Sequence, residues 1–245
     1  MRINKYLSSI GIASRRAVDK LISEKRIRIN KSFARLGDQV DPEKDRLEFD
    51  GQVINKFKPS FEYIILNKPE GVISSTVDTH ERQTVLDLIP HKSRLYPVGR
   101  LDYNSSGLIL LTNDGDMALK LTHPHFHLPK TYHVTVTGLV DDQKINKLKN
   151  GVTLEDGKTL PCEIAVLSRH PGNTVLEFIL YQGKKRQIRR MCEVVDLKVW
   201  KLIRTGFGPL TIDGLGSGKF RHLSKGELDI LIACLTSSKS PKKSV

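Results

Sequence analysis

Gly99-Arg100-Leu101-Asp102, followed by Gly107-Leu-Ile-Leu-Leu-Thr-Asn-Asp-Gly115, sets one carboxylate between a cation and a polar turn, at the start of an apolar strand. A carboxylate there adds nothing to packing. It is either paired with Arg100 or used for chemistry, as a nucleophile or a proton acceptor. Asp114 and Asp116 are poorer candidates, because the Asn-Asp-Gly turn accounts for Asp114. Two further segments carry reactive or anion-binding side chains: Lys130-Thr131-Tyr132-His133-Val134 and Gly183-Lys-Lys-Arg-Gln-Ile-Arg-Arg-Met191. In the second, Gly183 and the apolar pair Ile188 and Met191 predict a strand-to-helix turn. Lys185, Arg186, Arg189 and Arg190 flank that turn, a suitable place for a phosphate or a carboxylate, although a solvated helix face would carry the same charges. Tyr132, on an alternating strand, is either plain core or a ring on which a planar base stacks. His123, His125 and His127 alternate onto one face of an extended segment, but Pro124 and Pro129 make it irregular. No thiol or carboxylate completes a ligand set, so no metal is expected.

The elements that must position these groups fall into two parts. Over residues 1–58, Ile3, Tyr6, Leu7 and Ile10 recur at helical spacing and Gly11 ends that helix. Ser14 is a good N-cap for a second helix, with Ala17, Val18, Leu21 and Ile22 on its inner face. Ile27-Arg28-Ile29 alternates as a strand, and Asp50-Gly51 predicts a hairpin turn between Leu47-Glu48-Phe49 and Val53-Ile54. Residues 55–60 read as a short polar linker. Residues 59–236 then mix strands and helices without a βαβ rhythm. Strands are expected at Tyr63–Leu66, Val72–Ile73, Leu108–Thr112, Tyr132–Thr137 and Val175–Leu180. Helices are expected at Val85–Ile89, from Met117, and around Ile188–Val195. The fold class is therefore α+β with a largely antiparallel sheet. Residues 237–245 are rich in Ser, Lys and Pro and read as a disordered basic tail.

Charge narrows the partner. Forty Lys and Arg against 27 Asp and Glu give a net charge of +13. Residues 1–35 hold ten of those cations and only two acids, Asp19 and Glu24. Charge concentrated in this way is the footprint of a polyanion, nucleic acid before membrane. The three cysteines, Cys162, Cys192 and Cys234, are far apart and odd in number, which argues against a disulfide framework and for a reducing, cytoplasmic setting. The first residues lack the uninterrupted apolar run of a signal peptide, and no stretch is long enough to span a bilayer.

The three chemical segments together resemble the motif set of the pseudouridine synthases, specifically the RsuA-type ribosomal branch. Arg2-Ile-Asn-Lys-Tyr-Leu7, Gly11, Ser14-Arg-Arg16 and Ile27-Arg-Ile-Asn30 resemble an S-four-type RNA-binding domain. Lys25-Arg26 and Lys31 stand where that family usually has glycine. The resemblance implies a small RNA-binding domain over 1–58, then a catalytic domain over 59–236 whose mixed sheet is flanked by helices and crossed by a cleft. It implies that Asp102 starts the detachment of uracil, by attack on either the ribose or the ring. It matches Arg189 to the guanidinium that holds that carboxylate ionised, and Tyr132 to the tyrosine that stacks on the base and takes a proton late. No cofactor is needed for a redox-neutral rearrangement. Arg2, Lys5, Arg15, Arg16, Arg26 and Arg28, with Arg100, Lys130, Lys185, Arg186 and Arg190 around the cleft, are the expected RNA contacts. The implied substrate is ribosomal RNA, in a folded or partly assembled state, acted on by a monomer. Gln182 to Glu193 leans towards the large-subunit, RluF-like members; a small-subunit target is the alternative. The rival class is a non-catalytic RNA-binding assembly factor. A hydrolase with Asp102 as general base lacks a second acid or a metal in matching context.

Overall fold

The computed structural model describes residues 1–54, 60–91 and 93–236. Residues 55–59 of the expected linker and the tail at 237–245 lie outside the described residues. The chain divides into two compact units, one built on Met1–Phe61 and the other on Glu62 onwards.

In the first unit, α1 (Ile3–Ser9) and α2 (Arg15–Ser23) precede β1 (Ile27–Ile29), β2 (Ser32–Phe33), β3 (Leu47–Phe49) and β4 (Gln52–Val53). The strands form an antiparallel sheet in the order β2-β1-β3-β4. Ser14 caps α2 as its sequence position predicts, its side-chain oxygen accepting from the Ala17 amide at 3.1 Å. Ile3, Tyr6, Leu7, Val18 and Ile22 form one core with Ile27 and Leu47. Ala17, expected on the inner face, is exposed. The glycine-poor turns keep the backbone that glycine would favour: Lys25 has φ +56° and Lys31 φ +75°.

The second unit carries β5 (Tyr63–Lys68), β6 (Tyr96–Val98), β7 (Ser106–Thr112), α3 (Gly115–Thr122), a 3-10 turn (Pro124–Phe126), β8 (Lys130–Thr137) and α4 (Asp142–Lys149). There follow β9 (Thr153–Leu154), β10 (Gly157–Lys158), β11 (Glu163–His170), β12 (Asn173–Leu180) and α5 (Gln187–Glu193). The last elements are β13 (Val199–Phe207), β14 (Leu210–Thr211), β15 (Phe220–His222) and α6 (Lys225–Thr236). One mixed sheet runs β11-β12-β8-β13-β7-β5-β15, with β14 on β13 and β6 on β7. Every pairing in it is antiparallel except β13 with β7.

The apolar run of β7 is buried on both faces, as period-two geometry requires of a continuous hydrophobic strand. Leu108 and Leu110 face a core shared with Met117 and Leu121 of α3 and Leu231 and Leu235 of α6. Ile109 and Leu111 face the opposite core, with Val85, Ile89 and Leu95. A third core lies between β8, β11, β12 and β13 and the helices α4 and α5. Among the described residues no helix is long and apolar enough to cross a membrane.

Two expectations fail locally. Val85–Ile89 forms turns, not a helix. Val85 donates to the Ile73 carbonyl at 2.9 Å, Ile73 donates to the Gln83 carbonyl, and the Thr84 amide is taken by the Asp87 carboxylate at 2.7 Å. The bonds that close the segment run from the Asp87 amide to the Thr84 carbonyl and from the Ile89 amide to the Leu86 carbonyl, spanning three residues as in single turns, while Val85 and Ile89 still reach the core. Val72-Ile73 does not rejoin the sheet, since Ile73 makes only an isolated bridge to Thr84.

Candidate active site

The loop between β6 and β7 presents Asp102. Its shape is set from outside. Ser74 Oγ accepts from the Leu101 amide at 3.0 Å and donates to the Leu101 carbonyl at 2.9 Å. That reciprocal pair pins the backbone beside Asp102, and the Asp102 carbonyl then accepts from Ser105 at 3.1 Å. Gly99 turns the chain with φ +74°. Gly107 lets β7 approach β13: a Cβ there would lie 2.2 Å from the Arg204 carbonyl oxygen.

A cleft of about 710 Å³ opens over this loop, and its walls include Gly99, Arg100, Asp102, Lys130, Tyr132, Lys185, Arg186 and Arg204. Asp102 and Tyr132, more than a sheet strand apart in sequence, therefore share one concave surface. Tyr132 is half-buried, packed between two of the apolar cores, and its hydroxyl makes no hydrogen bond with a described residue. Arg100, Lys185 and Arg186 are exposed at the same cleft.

Arg189 behaves differently from expectation. It is buried, is not part of the cleft wall, and forms no ion pair within 4.0 Å of Asp102. The face of α5 that carries it is turned inward, so its guanidinium meets backbone first. It donates to the Asn104 carbonyl at 2.7 Å and to the Val199 carbonyl at 3.3 Å. It therefore braces the loop two residues beyond Asp102. Burial and the neighbouring Arg186 lower its pKa, while the charges of Asp102 and Glu70 oppose that. The Asp102 charge thus reaches Arg189 through space without a direct bond.

A second buried cation was missed in the sequence. Lys68 ends β5 and is wholly inaccessible to solvent. Its ammonium donates to the Pro69 and Val72 carbonyls, both at 2.8 Å. Burial pushes it down to about 8, and the carboxylates of Glu70 and Asp102 pull the other way. The signal was a lysine two residues beyond the apolar run Tyr63-Ile-Ile-Leu66. Arg204 was likewise not singled out in the sequence. It is buried on β13, and its Nε donates to the Leu108 carbonyl at 2.6 Å.

The remaining expected cations divide by partner. In the first unit Arg2, Arg15 and Arg16 are exposed, Lys5 is half-buried, and Arg28 lies 4.4 Å over the Phe33 ring. Arg26 is held by Asp50, its Nε donating at 2.8 Å. In the second unit Asp156 takes Arg190 through two bonds, at 2.9 and 3.2 Å. Lys130 is half-buried, donates to the Leu128 carbonyl at 2.8 Å, and is lowered to about 8 by burial and then by Arg204. The three histidines do not lie on one extended face. They wind around the 3-10 turn, where His123 Nδ1 accepts from the His125 amide at 3.2 Å and His127 has φ +44°. Among the described residues no group of three or more such side chains could hold a metal ion.

Comparison with known proteins agrees with this layout. Residues 62–194 match the RNA pseudouridylate synthase family and residues 1–47 match the S4 domain. An uncharacterized RNA pseudouridine synthase of Aquifex aeolicus is 40% identical, over 99% of this chain and 98% of its own length. The ribosomal large subunit pseudouridine synthase B of Bacillus subtilis is 38% identical over 95% and 96%. The dual-specificity RNA pseudouridine synthase RluF of Escherichia coli O6:H1 is 37% identical over 99% and 82%. A crystal structure of a pseudouridylate synthase superposes with a TM-score of 0.68 at 26% identity, covering 94% of this chain and 99% of that one. The cleft shared by a glycine-framed aspartate and a strand tyrosine thus belongs to a known lineage: the chain is a member of the RNA pseudouridylate synthase family and carries an S4 domain.

Proposed function

We propose that this enzyme isomerises a specific uridine of large-subunit ribosomal RNA, acting as a monomer in the cytoplasm on folded RNA or an assembly intermediate. The observation that carries the reading is the common cleft of Asp102 and Tyr132, rimmed by Arg100, Lys185 and Arg186. The large-subunit choice rests on the name of the Bacillus subtilis relative.

The rearrangement breaks the bond from ribose C1′ to uracil N1, turns the base, forms the bond from C1′ to C5, and exchanges the C5 proton for one on N1. Asp102 starts the detachment. It is a carboxylate on a loop braced by Ser74 and Arg189, so little motion is needed to bring it to the nucleotide. Tyr132 offers a ring on which the base stacks and a free hydroxyl for the late proton. The uridine must leave its stack to enter, at a cost of a few kcal/mol, which contacts with flanking RNA offset. Arg15 and Arg16 in the first unit, and the cleft-rim cations in the second, supply such contacts.

Asp102→Asn tests the assignment. Tritium release from 5-labelled uridine in ribosomal RNA should vanish, while RNA affinity stays within about twofold, because only one charge is lost among many contacts. Substantial residual release would refute the role of Asp102. The target follows from a deletion strain, in which one carbodiimide-dependent reverse-transcription stop should disappear from large-subunit RNA. Loss of a small-subunit stop instead would overturn the subunit assignment.

A further inference from the structure

Arg204 is 3% exposed and stands in the wall of the cleft. Only part of its donor capacity is used. Nε serves the Leu108 carbonyl, but Nη2 is buried and has no hydrogen-bond partner. The guanidinium carbon lies 5.4 Å from the centroid of the Phe207 ring, and the Lys130 ammonium lies 5.9 Å from the same centroid. No described carboxylate pairs with either cation within 4.0 Å. A buried cationic donor without an acceptor is costly, and native interiors rarely keep one. Because Arg204 lines the cleft, an oxygen brought against this wall, with a small shift of the side chain, would supply the acceptor that Nη2 lacks.

Depth and register identify which oxygen. The RNA backbone can meet the exposed Arg100, Lys185 and Arg186, whereas a buried group on a central strand is reached only by something inserted. Arg204 and Tyr132 are directly opposed on the antiparallel strands β13 and β8. Opposed residues project from the same face with Cβ atoms about 5 Å apart. A pyrimidine stacked on Tyr132 would turn its edge, with its carbonyl oxygens, towards Arg204.

We propose that Arg204 is a further catalytic residue, its free Nη2–H donating to a carbonyl oxygen of the everted uracil. The inference rests on the pseudouridine synthase reading of the cleft. When the bond from C1′ to N1 breaks, its electron pair stays with N1 and spreads onto O2 and O4. The hydrogen bond from Arg204 strengthens as that negative charge develops. When C5 then bonds to C1′ the negative charge is neutralised, and the C5 proton is afterwards passed on while N1 takes one up, leaving a neutral base. A donor that gains strength only during detachment raises kcat and leaves KM nearly unchanged.

The test is a functional-group cycle. The full chain is given an RNA fragment spanning the mapped uridine, with uridine, 2-thiouridine or 4-thiouridine at that position, and single-turnover rates are measured. Sulfur accepts hydrogen bonds weakly, so one of the two substitutions should slow the wild type by about tenfold. Arg204→Gln should lower kcat on unsubstituted RNA by about 10²-fold with KM within about threefold, and should lose its sensitivity to that sulfur. Arg204→Lys, which keeps a cation, should fall between the two. The wild-type arms need no variant to fold. If neither sulfur costs the wild type more than about twofold, or if variant and sulfur losses simply multiply, the inference is overturned. It is equally overturned if Arg204→Gln weakens RNA binding and flattens its salt dependence at unchanged kcat, the pattern of a phosphate contact. Wild type that leaves unsubstituted RNA unaltered would overturn the parent reading, and this one with it. Turnover with multiplicative losses overturns this one alone.

Discussion

Replacing Gly107 with alanine strikes the narrowest seam of the sheet. The strands β7 and β13 are joined through just two residue pairs, Ile203 with Ser106 and Arg204 with Gly107. A Cβ at Gly107 would sit 2.2 Å from the Arg204 carbonyl oxygen, 2.6 Å from its amide nitrogen and 2.8 Å from its carbonyl carbon. All three atoms are backbone, so no side chain can swing aside. Restoring ordinary contact requires the strands to part by about 1 Å. The residue must also hold φ +107° with a side chain, a strain of roughly 1–2 kcal/mol. One or two ladder hydrogen bonds add about 1 kcal/mol each. The total is about 2–4 kcal/mol, a large fraction of the 5–15 kcal/mol that typically separates native from unfolded chains. With a urea slope near 2 kcal/mol/M, the midpoint of the second unit should fall by about 1–2 M. Activity should drop by about 10²-fold or more even where the variant is folded, since Asp102 and Arg204 sit on either side of the seam. Gly172→Ala is the control. It lies where φ is ordinary and no atom comes within 4 Å, and should change stability by less than about 0.5 kcal/mol. A Gly107→Ala midpoint within about 0.3 M of wild type, with activity kept, would refute the account of the seam.

Two other perturbations read the charges. Lys68 is buried with its pKa lowered to about 8 from an ordinary 10.5, so the unfolded chain binds more protons between those values and stability rises with pH through that window. Below about 8 the full penalty of the buried ammonium is present. Urea titrations at pH 8, 9 and 10 should show wild type gaining up to about 1 kcal/mol per pH unit more than Lys68→Met; parallel slopes would remove the argument. In the first unit, Arg15→Gln combined with Arg16→Gln should lower the salt slope of RNA binding, log K against log [salt], by about 1.5, two contacts at roughly 0.7–0.9 each. An unchanged slope would mean that these exposed arginines do not meet phosphates.

Much of this protein was legible in order along the chain. The Ser14 cap, the Asp50-Gly51 hairpin, the doubly buried β7 and the apolar face of α5 follow from nearest-neighbour chemistry and from periods of 2 and 3.6. So does the isolation of Asp102 in a glycine-framed loop. What the sequence could not reveal depends on residues far apart. Val85–Ile89 looks helical until Val85 is tied to the Ile73 carbonyl and the chain closes as single turns at Asp87 and Ile89. Arg189 looks like the partner of Asp102 until the inward turn of α5 sets it against the Asn104 carbonyl. Lys68 and Arg204 look like surface charges, because burial of a lone cation is decided by strands that meet only in the folded sheet. Arg204 finds its acceptor at Leu108, nearly a hundred residues away. Local propensity fixes which elements form; only their assembly decides which charges are shut away from water, because burial is set by strands and helices distant in sequence.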